Sequence, residues 1–261
     1  MQLHLNMSNY LNHYRQNPDY NMPKTPFDDR YFSTNTYEKV SFERYSQYWW
    51  SNRFYAILAR RYVKKGGLLL EEGCGLGHLI GQLEMDYATL GMDINHWALR
   101  EASAVAKCTP MFCSSAGELP YQNGVFNAII SKHVVEHLPD PAAAINEMGR
   151  TLAVDGVLIL ATPNLSSLLK PLKGNRWIGY QDPTHISLQP PEAWKDMIKS
   201  AGMTVVKVFS DGFWDVPYIE GIPAGIQKYI FGSLGGFQAI TGLVFLPPRW
   251  GESIIMIAKK T

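Results

Sequence analysis

This sequence predicts an α/β domain with a doubly wound, largely parallel sheet, and three observations carry the prediction. Short apolar runs alternate with helical patterns from Leu68 to Ala161, the first run opens into glycines at Gly73, Gly75 and Gly77, and the second ends in an acid, Asp93. Strands alternating with helices at this spacing imply βαβ units with right-handed crossovers. A strand, a glycine turn and a helix start together form a nucleotide-type site, because exposed N–H groups and a helix dipole meet there. With 261 residues and one periodic pattern, a single elaborated domain is expected.

The elements follow in order. Residues 1–30 read as a flexible arm; Met1 to Asn21 is rich in Asn, Tyr and His and lacks the basic and apolar regions of a secretory signal. Residues 31–65 form a helical lid, whose aromatics Tyr45, Tyr48, Trp49, Trp50, Phe54 and Tyr55 recur at helical spacing. The core spans residues 66–211. Leu68 to Leu70 has the character of a buried parallel strand, and a helix is expected to start at His78 behind the glycine turn. Tyr87 to Asp93 is the second strand, followed by a helix through Ala106, and Met111 to Cys113 is a short third. Val125 to Ile130 is the fourth strand, with a helix from Pro141 after it; Asp155-Gly156 turns the chain into the fifth strand, Val157 to Ala161. A helix from about Pro191 to Ala201 ends at Gly202, the usual left-handed cap, before a sixth strand from Met203 to Phe209. The last strand, within residues 252–261, carries the unbroken apolar run Ile254 to Ala258 and is expected to be buried on both faces. Residues 212–251 are an insertion far longer than an ordinary connection.

Composition narrows the partners. With 24 basic and 23 acidic residues there is no electrostatic footprint for nucleic acid. Three cysteines without framework spacing fit reduced thiols and a cytoplasmic setting.

Two ligand classes share a strand, a glycine turn and an acid after the next strand. A dinucleotide fingerprint requires a third small residue where His78 stands, which disfavours a nicotinamide oxidoreductase. The observed pattern is Glu71-x-Gly73-x-Gly75-x-Gly77, then Gly91-Met92-Asp93, Ala116-Gly117-Glu118-Leu119-Pro120-Tyr121, and His133-Val134-Val135-Glu136-His137-Leu138-Pro139-Asp140-Pro141. It resembles motifs I to III and beyond of class I S-adenosylmethionine-dependent methyltransferases, in the subgroup that includes quinone-biosynthesis enzymes. The resemblance covers residues 68 to about 210, the aromatic helix loosely, and the insertion hardly at all.

That resemblance implies a Rossmann-like seven-stranded sheet in the order 3-2-1-4-5-7-6 with strand 7 antiparallel, and S-adenosylmethionine as cofactor. Glu71 matches the acid near the methionyl ammonium; Gly73, Cys74, Gly75 and Gly77 match the turn beneath the cofactor. Asp93 matches the acid that accepts both ribose hydroxyls, which suits a carboxylate as an acceptor. Ile94 is placed on the adenine, Ser115 where relatives often carry an aspartate, and Ala116 with its N–H toward the ring. Ser131 and Lys132 pass near the methionine end, and Arg53, in a W-W-x-x-R stretch, is a candidate partner for the cofactor carboxylate.

Several residues carry plainer readings. Glu72 stands where relatives are apolar and is expected to form an internal ion pair. Adjacent Glu136 and His137 point about 100° apart on a helix, which argues for capping or packing over a metal site, and no metal is expected. Methylation of an oxygen requires proton removal, for which His185, in Asp182-Pro183-Thr184-His185, is the first candidate base and His133 the second. The insertion is nearly uncharged: from Gly221 to Pro248 Lys228 alone carries charge. Glycines and polar residues dilute it below a membrane span, so it reads as an apolar cap over a small apolar or lipid-linked acceptor, with possible peripheral membrane contact. The expected function is therefore O-methylation of such an acceptor; a cofactor-binding protein without catalysis is the alternative.

Overall fold

The computed structural model describes Phe27, residues 31–33 and residues 40–261; the arm expected over residues 1–30 lies outside them apart from Phe27. A seven-stranded sheet in the order β3-β2-β1-β4-β5-β7-β6 forms the centre, as expected. Its strands are β1 (Leu68–Glu72), β2 (Ala88–Asp93), β3 (Met111–Cys113), β4 (Phe126–Lys132), β5 (Leu152–Pro163), β6 (Met203–Asp211) and β7 (Ser253–Lys260). β1 pairs in parallel with β2 and β4, and β7 runs antiparallel to both β5 and β6. The interior strands are apolar on both faces because both are covered. Leu69, Ile130, Ile159 and Ile257 pack under Phe54, Tyr55 and Leu58 of α1 (Gln47–Tyr62). Leu70, Ile129, Leu158 and Met256 form the other layer with α3 (Pro141–Thr151) and α4 (Pro191–Ser200), which supply Ile145, Met148, Trp194 and Ile198. Helix α2 (His96–Val105) connects β2 to β3.

Helix starts are set by side-chain caps. Ser46, Asn95 and Asp140 accept hydrogen bonds from the N–H groups of Trp49, Ala98 and Ala143, and Pro141 takes the first turn of α3, where its missing N–H costs nothing.

Three local readings are corrected. Behind the glycine turn there is a single 3-10 turn, Ile80–Gln82, in place of a helix. The chain must enter β2 at Ala88, and Gly81, which lies against Ala106, bonds back to Gly77 O at 2.9 Å. The phosphate-binding helix N-terminus of a dinucleotide site is accordingly missing here. Second, Asp155 (φ 62°) and Gly156 do not separate an incoming segment from β5: the strand runs from Leu152 through them, absorbing them as a register shift against Phe126 and Ala128. Third, Glu72 has no ion-pair partner among the described residues. It is fully buried, and burial pushes its pKa up to about 8, with the neighbouring Ser131 hydroxyl holding it down only in part.

The insertion folds as α5 (Ala224–Thr241), which packs on α1; Gly242 touches Ile57 there and a Cβ would come within 2.3 Å of that side chain. α5 turns polar residues inward. Gln227 bonds the backbone of Tyr218, Ile219 and Ile222, and Gln238 donates to Ser210 O, while Ile226, Tyr229, Ile230, Leu234, Phe237 and Ile240 face solvent. No helix among the described residues is long and apolar enough to cross a membrane.

Glu72 provides a stability test. Its folded pKa of about 8 lies above the ordinary 4.5, so the stability it contributes as a neutral acid is fully present below pH 4.5 and is lost as pH rises toward 8. Glu72→Gln should remove that loss. Urea unfolding should find the variant gaining on the parent between pH 5 and pH 8 by on the order of a few kcal/mol; parallel pH profiles would refute the assignment.

Candidate functional site

The carboxyl ends of β1, β2 and β4 meet where the winding of the sheet reverses, the place where open α/β sheets bind ligands. A cavity of about 1040 Å3, its open mouth included, lies there. Its floor is the glycine turn, with Gly73 at φ 68°, Gly75 at 49° and Gly77 at 77°, all left-handed. At Gly73 a Cβ would also stand 2.2 Å from Val134 Cγ2, so both conformation and space exclude a side chain. Gly77 lies beneath the turn against Ala102 and lines no part of the cavity.

Two acids define the floor chemically. Asp93 accepts the Gly75 N–H on Oδ2 and the Asn95 N–H on Oδ1, each at 2.8 Å, leaving a lone pair on each oxygen for a ligand. Burial raises its pKa, and these N–H groups partly hold it down. Glu71 faces the cavity with Oε2 unpartnered; burial lifts its pKa to about 8 against the opposing charge of Lys132. Lys132, at the end of β4, donates to Asn52 Oδ1 at 2.8 Å and lies over the rings of Tyr55 and Tyr48. Burial pushes its pKa down to about 8, with Asp211 and Glu71 pulling it up. Asn52 Nδ2, buried and without a partner, belongs to the same wall.

The roof is aromatic. Phe27, Tyr31, Phe32 and Tyr48 line the cavity, and the Phe32 ring lies over Gly75, 3.2 Å from where a Cβ would be. His78 stacks on Phe42 and meets Tyr48 edge-on, so the residue that breaks the dinucleotide pattern holds the lid. No described residue of α5 or of its flanking loops lines the cavity; the insertion backs α1 from outside, and it is α1 with the 27–32 aromatics that covers the site.

Beyond the floor stands a group of histidines. His133, at a strained φ of 56°, donates from Nδ1 to Glu136 Oε1 at 3.1 Å, and its Nε2 is hydrogen-bonded to Ser253 Oγ at 3.2 Å. His137 lines the cavity and donates from Nδ1 to Thr184 Oγ1 at 2.8 Å. His185 donates from Nδ1 to Gly179 O at 2.7 Å, with its ring 4.7 Å from that of His137.

Of the residues singled out in the sequence, Glu71, Gly73, Cys74, Gly75, Asp93, Ile94, Ser115, Ala116, Lys132 and His133 line the cavity. Four do not. Arg53 stacks on Trp49 and Trp50, Ser131 is fully buried in β4 beside Glu72, Gly77 supports the turn, and His185 stands behind His137. Ser115 Oγ accepts the Gly117 N–H at 3.3 Å, so that hydroxyl is partly occupied by its own turn. Sequence reasoning missed Asn52, Asn95, His137 and the Phe32 ring as wall residues. Asn52 had a signal, since it lies in the aromatic stretch one position before Arg53.

Comparison with known proteins agrees with this geometry. A family described as a methyltransferase domain matches residues 42–208. A protein of Mycolicibacterium smegmatis named "Probable S-adenosylmethionine-dependent methyltransferase" is 30% identical over 121 residues, which is 45% of this chain; the chain spans about half the length of that relative, 46%. A S-adenosylmethionine-dependent methyltransferase of Archaeoglobus fulgidus has a similar fold, with TM-score 0.56 and 22% identity over 80% of this chain and 94% of that one. So does a geranyl diphosphate C-methyltransferase of Streptomyces coelicolor, solved with Mg2+, geranyl diphosphate and S-adenosylhomocysteine (TM-score 0.55, 14% identity, 79% of this chain and 77% of that one).

The floor makes one prediction about folding. Gly73→Ala should destabilise the protein by about 1–3 kcal/mol, from the left-handed backbone and the Val134 clash together. A shift in the urea midpoint reads this out; an unchanged midpoint would mean that the turn is not rigid.

Proposed function

The chain belongs to the methyltransferase-domain family, as a class I S-adenosylmethionine-dependent enzyme, and from that premise we propose that it methylates an oxygen of a small apolar or lipid-linked acceptor. The observation that carries the cofactor assignment is the set of unspent polar atoms around one floor. Glu71 Oε2 and Asn52 Nδ2 are buried without partners, and Asp93 keeps a lone pair on each oxygen. An acceptor for the methionyl ammonium, a donor for its carboxylate and a pair of acceptors for ribose hydroxyls suit S-adenosylmethionine, whose sulfonium supplies an activated methyl group. Lys132 adds a cation at the methionine end. Methyl transfer is an in-line displacement that asks little of the protein beyond holding acceptor and methyl together, and such positioning can contribute roughly 7–11 kcal/mol.

An acceptor hydroxyl must also lose a proton. His137 lines the cavity and His185 stands behind it, both with Nδ1–H committed to backbone or Thr184 oxygens, which leaves the lone pair on Nε2. His133 suits this task less well, because both of its nitrogens are engaged. An apolar acceptor is supported by the aromatic roof and by the outward face of α5, whose exposed Ile226, Ile230, Leu234, Phe237 and Ile240 reverse the usual arrangement of a surface helix. One protein of similar fold is named for a prenyl diphosphate acceptor. A membrane surface that presents such an acceptor fits the same face.

Thermal unfolding with S-adenosylhomocysteine and with NAD tests the cofactor, since a ligand of the native state stabilises it by mass action. S-adenosylhomocysteine should raise the Tm and NAD should not, and Asp93→Asn should weaken the first effect at least tenfold in ligand concentration. Transfer of labelled methyl to quinols and to lipid-linked phenols then tests catalysis, and a protein that binds cofactor but labels no acceptor class would be a binder only.

The outward face of α5 has its own test. Ile230→Glu with Phe237→Glu, both at exposed positions, should abolish co-sedimentation with phosphatidylglycerol-containing vesicles while leaving the Tm within about 1 °C. Equal pelleting of parent and variant would remove the membrane from the proposal.

A further inference from the structure

We propose that Glu136, His137 and His185 form a binding site for one divalent transition-metal ion at the edge of the cofactor cavity. One ligand atom from each of the three residues lies within 4.8 Å of the others. In tetrahedral geometry two ligands each about 2.1 Å from an ion stand about 3.4 Å apart, so the site closes with side-chain movement of up to roughly 1.4 Å.

The expectation of capping or packing at Glu136 and His137 rests on helical geometry, and two features of the structure bear on it. Val135–His137 is an isolated 3-10 turn, not part of an α-helix, and the third residue arrives from another segment. The loop that carries His185 is stitched to this turn: the Ser187 N–H donates to Glu136 O at 2.9 Å and Ser187 Oγ to Leu138 O at 2.6 Å.

The hydrogen bonds around the three residues fix which ring nitrogens carry the proton. His137 Nδ1 lies near the Thr184 carbonyl as well as Thr184 Oγ1, and His185 Nδ1 lies 2.7 Å from the Gly179 carbonyl. A carbonyl only accepts, so both Nδ1 atoms carry the proton and both Nε2 atoms present lone pairs. Thr184 in turn donates to Asp182, a buried acid that orients the Thr184–His137 pair. This is the pattern by which outer partners orient metal-binding imidazoles. Glu136 is fully buried; Oε1 takes the His133 proton, and Oε2 has no partner. The group thus offers two imidazole lone pairs and an unpartnered carboxylate oxygen, with one ligand atom of each residue within 4.8 Å of the others. A single proton can bridge one pair of the three, whereas a cation satisfies all of them and is neutralised by Glu136 with Asp182 behind it. Two imidazoles and one carboxylate suit Zn2+, Co2+, Mn2+ or Fe2+ better than Ca2+.

His137 lines the cavity, so the ion, taking the Nε2 lone pairs in place of a proton, would border the acceptor end and acidify an acceptor hydroxyl there instead of a histidine base removing its proton. That role rests on the methyl-transfer reading; the metal site does not. Tag-free protein, stripped with chelator and dialysed, is titrated with Co2+ by visible absorption and with Zn2+ by calorimetry. One equivalent is expected in the parent, with affinity at least tenfold weaker in His185→Ala and in His137→Ala, while the Tm increase produced by S-adenosylhomocysteine persists in His185→Ala, whose side chain lies outside the cavity lining. A parent that binds no ion, or variants that keep the parent's stoichiometry and affinity, would overturn the site. Loss of the S-adenosylhomocysteine effect in the parent, with metal binding intact, would instead count against the cofactor reading alone. If His137→Ala fails to fold, His185→Ala, at a half-exposed loop position, decides the question.

Discussion

One hydrogen bond ties the site together: the Gly75 N–H to Asp93 Oδ2 at 2.8 Å. It fastens the turn that leaves β1 to the end of β2, and both strands are held in register at Glu71–Gly91 and Glu72–Met92. The turn must approach this closely, so it must be left-handed at its glycines, and the space that side chains would fill becomes the ligand floor. The same closeness brings the buried Glu71 and Glu72 together with the half-buried Asp93. Three carboxyl groups cannot all be charged there without partners, and burial accordingly raises each of their pKa values. A ligand with positive charge and hydroxyl groups relieves this arrangement; an anionic one would aggravate it.

The sheet was legible in the sequence because its interior strands are covered on both faces, which writes unbroken apolar runs such as Leu158–Leu160 and Ile254–Ala258 into the chain. The floor was legible because glycine and acid at fixed spacing leave few alternatives. What could not be read depends on distance in sequence. The Phe32 ring reaches Gly75 from outside any periodic element, and His137 gains its partners from a loop around Thr184 and His185. Arg53 stacks on two tryptophans, a placement its sequence context allows as readily as contact with a carboxylate. Glu72 was misjudged for a different reason: a charged residue type does not announce that burial will favour its neutral form.

The aromatic segment at Tyr45–Tyr55 divides its work by face. Phe54 and Tyr55 belong to the core, with the Tyr55 hydroxyl donating to Asp211 at 2.9 Å, whereas Tyr48 and Asn52 face the cavity. Lys132 joins the two roles, since it bonds Asn52 and lies over both tyrosine rings.

α1 is thus a shared wall. One side forms part of the cavity through Tyr48 and Asn52, and the other packs against α5 through Ile57 and beside Trp50. A rigid helix with a pocket on one side and an apolar surface element on the other cannot respond to the two independently. Should a contact at α5 displace α1, linkage would require that filling the pocket change the strength of that contact by the same factor. Such reciprocity would let an attached protein hold its small ligand differently from a free one, with no residue passing between the two sites.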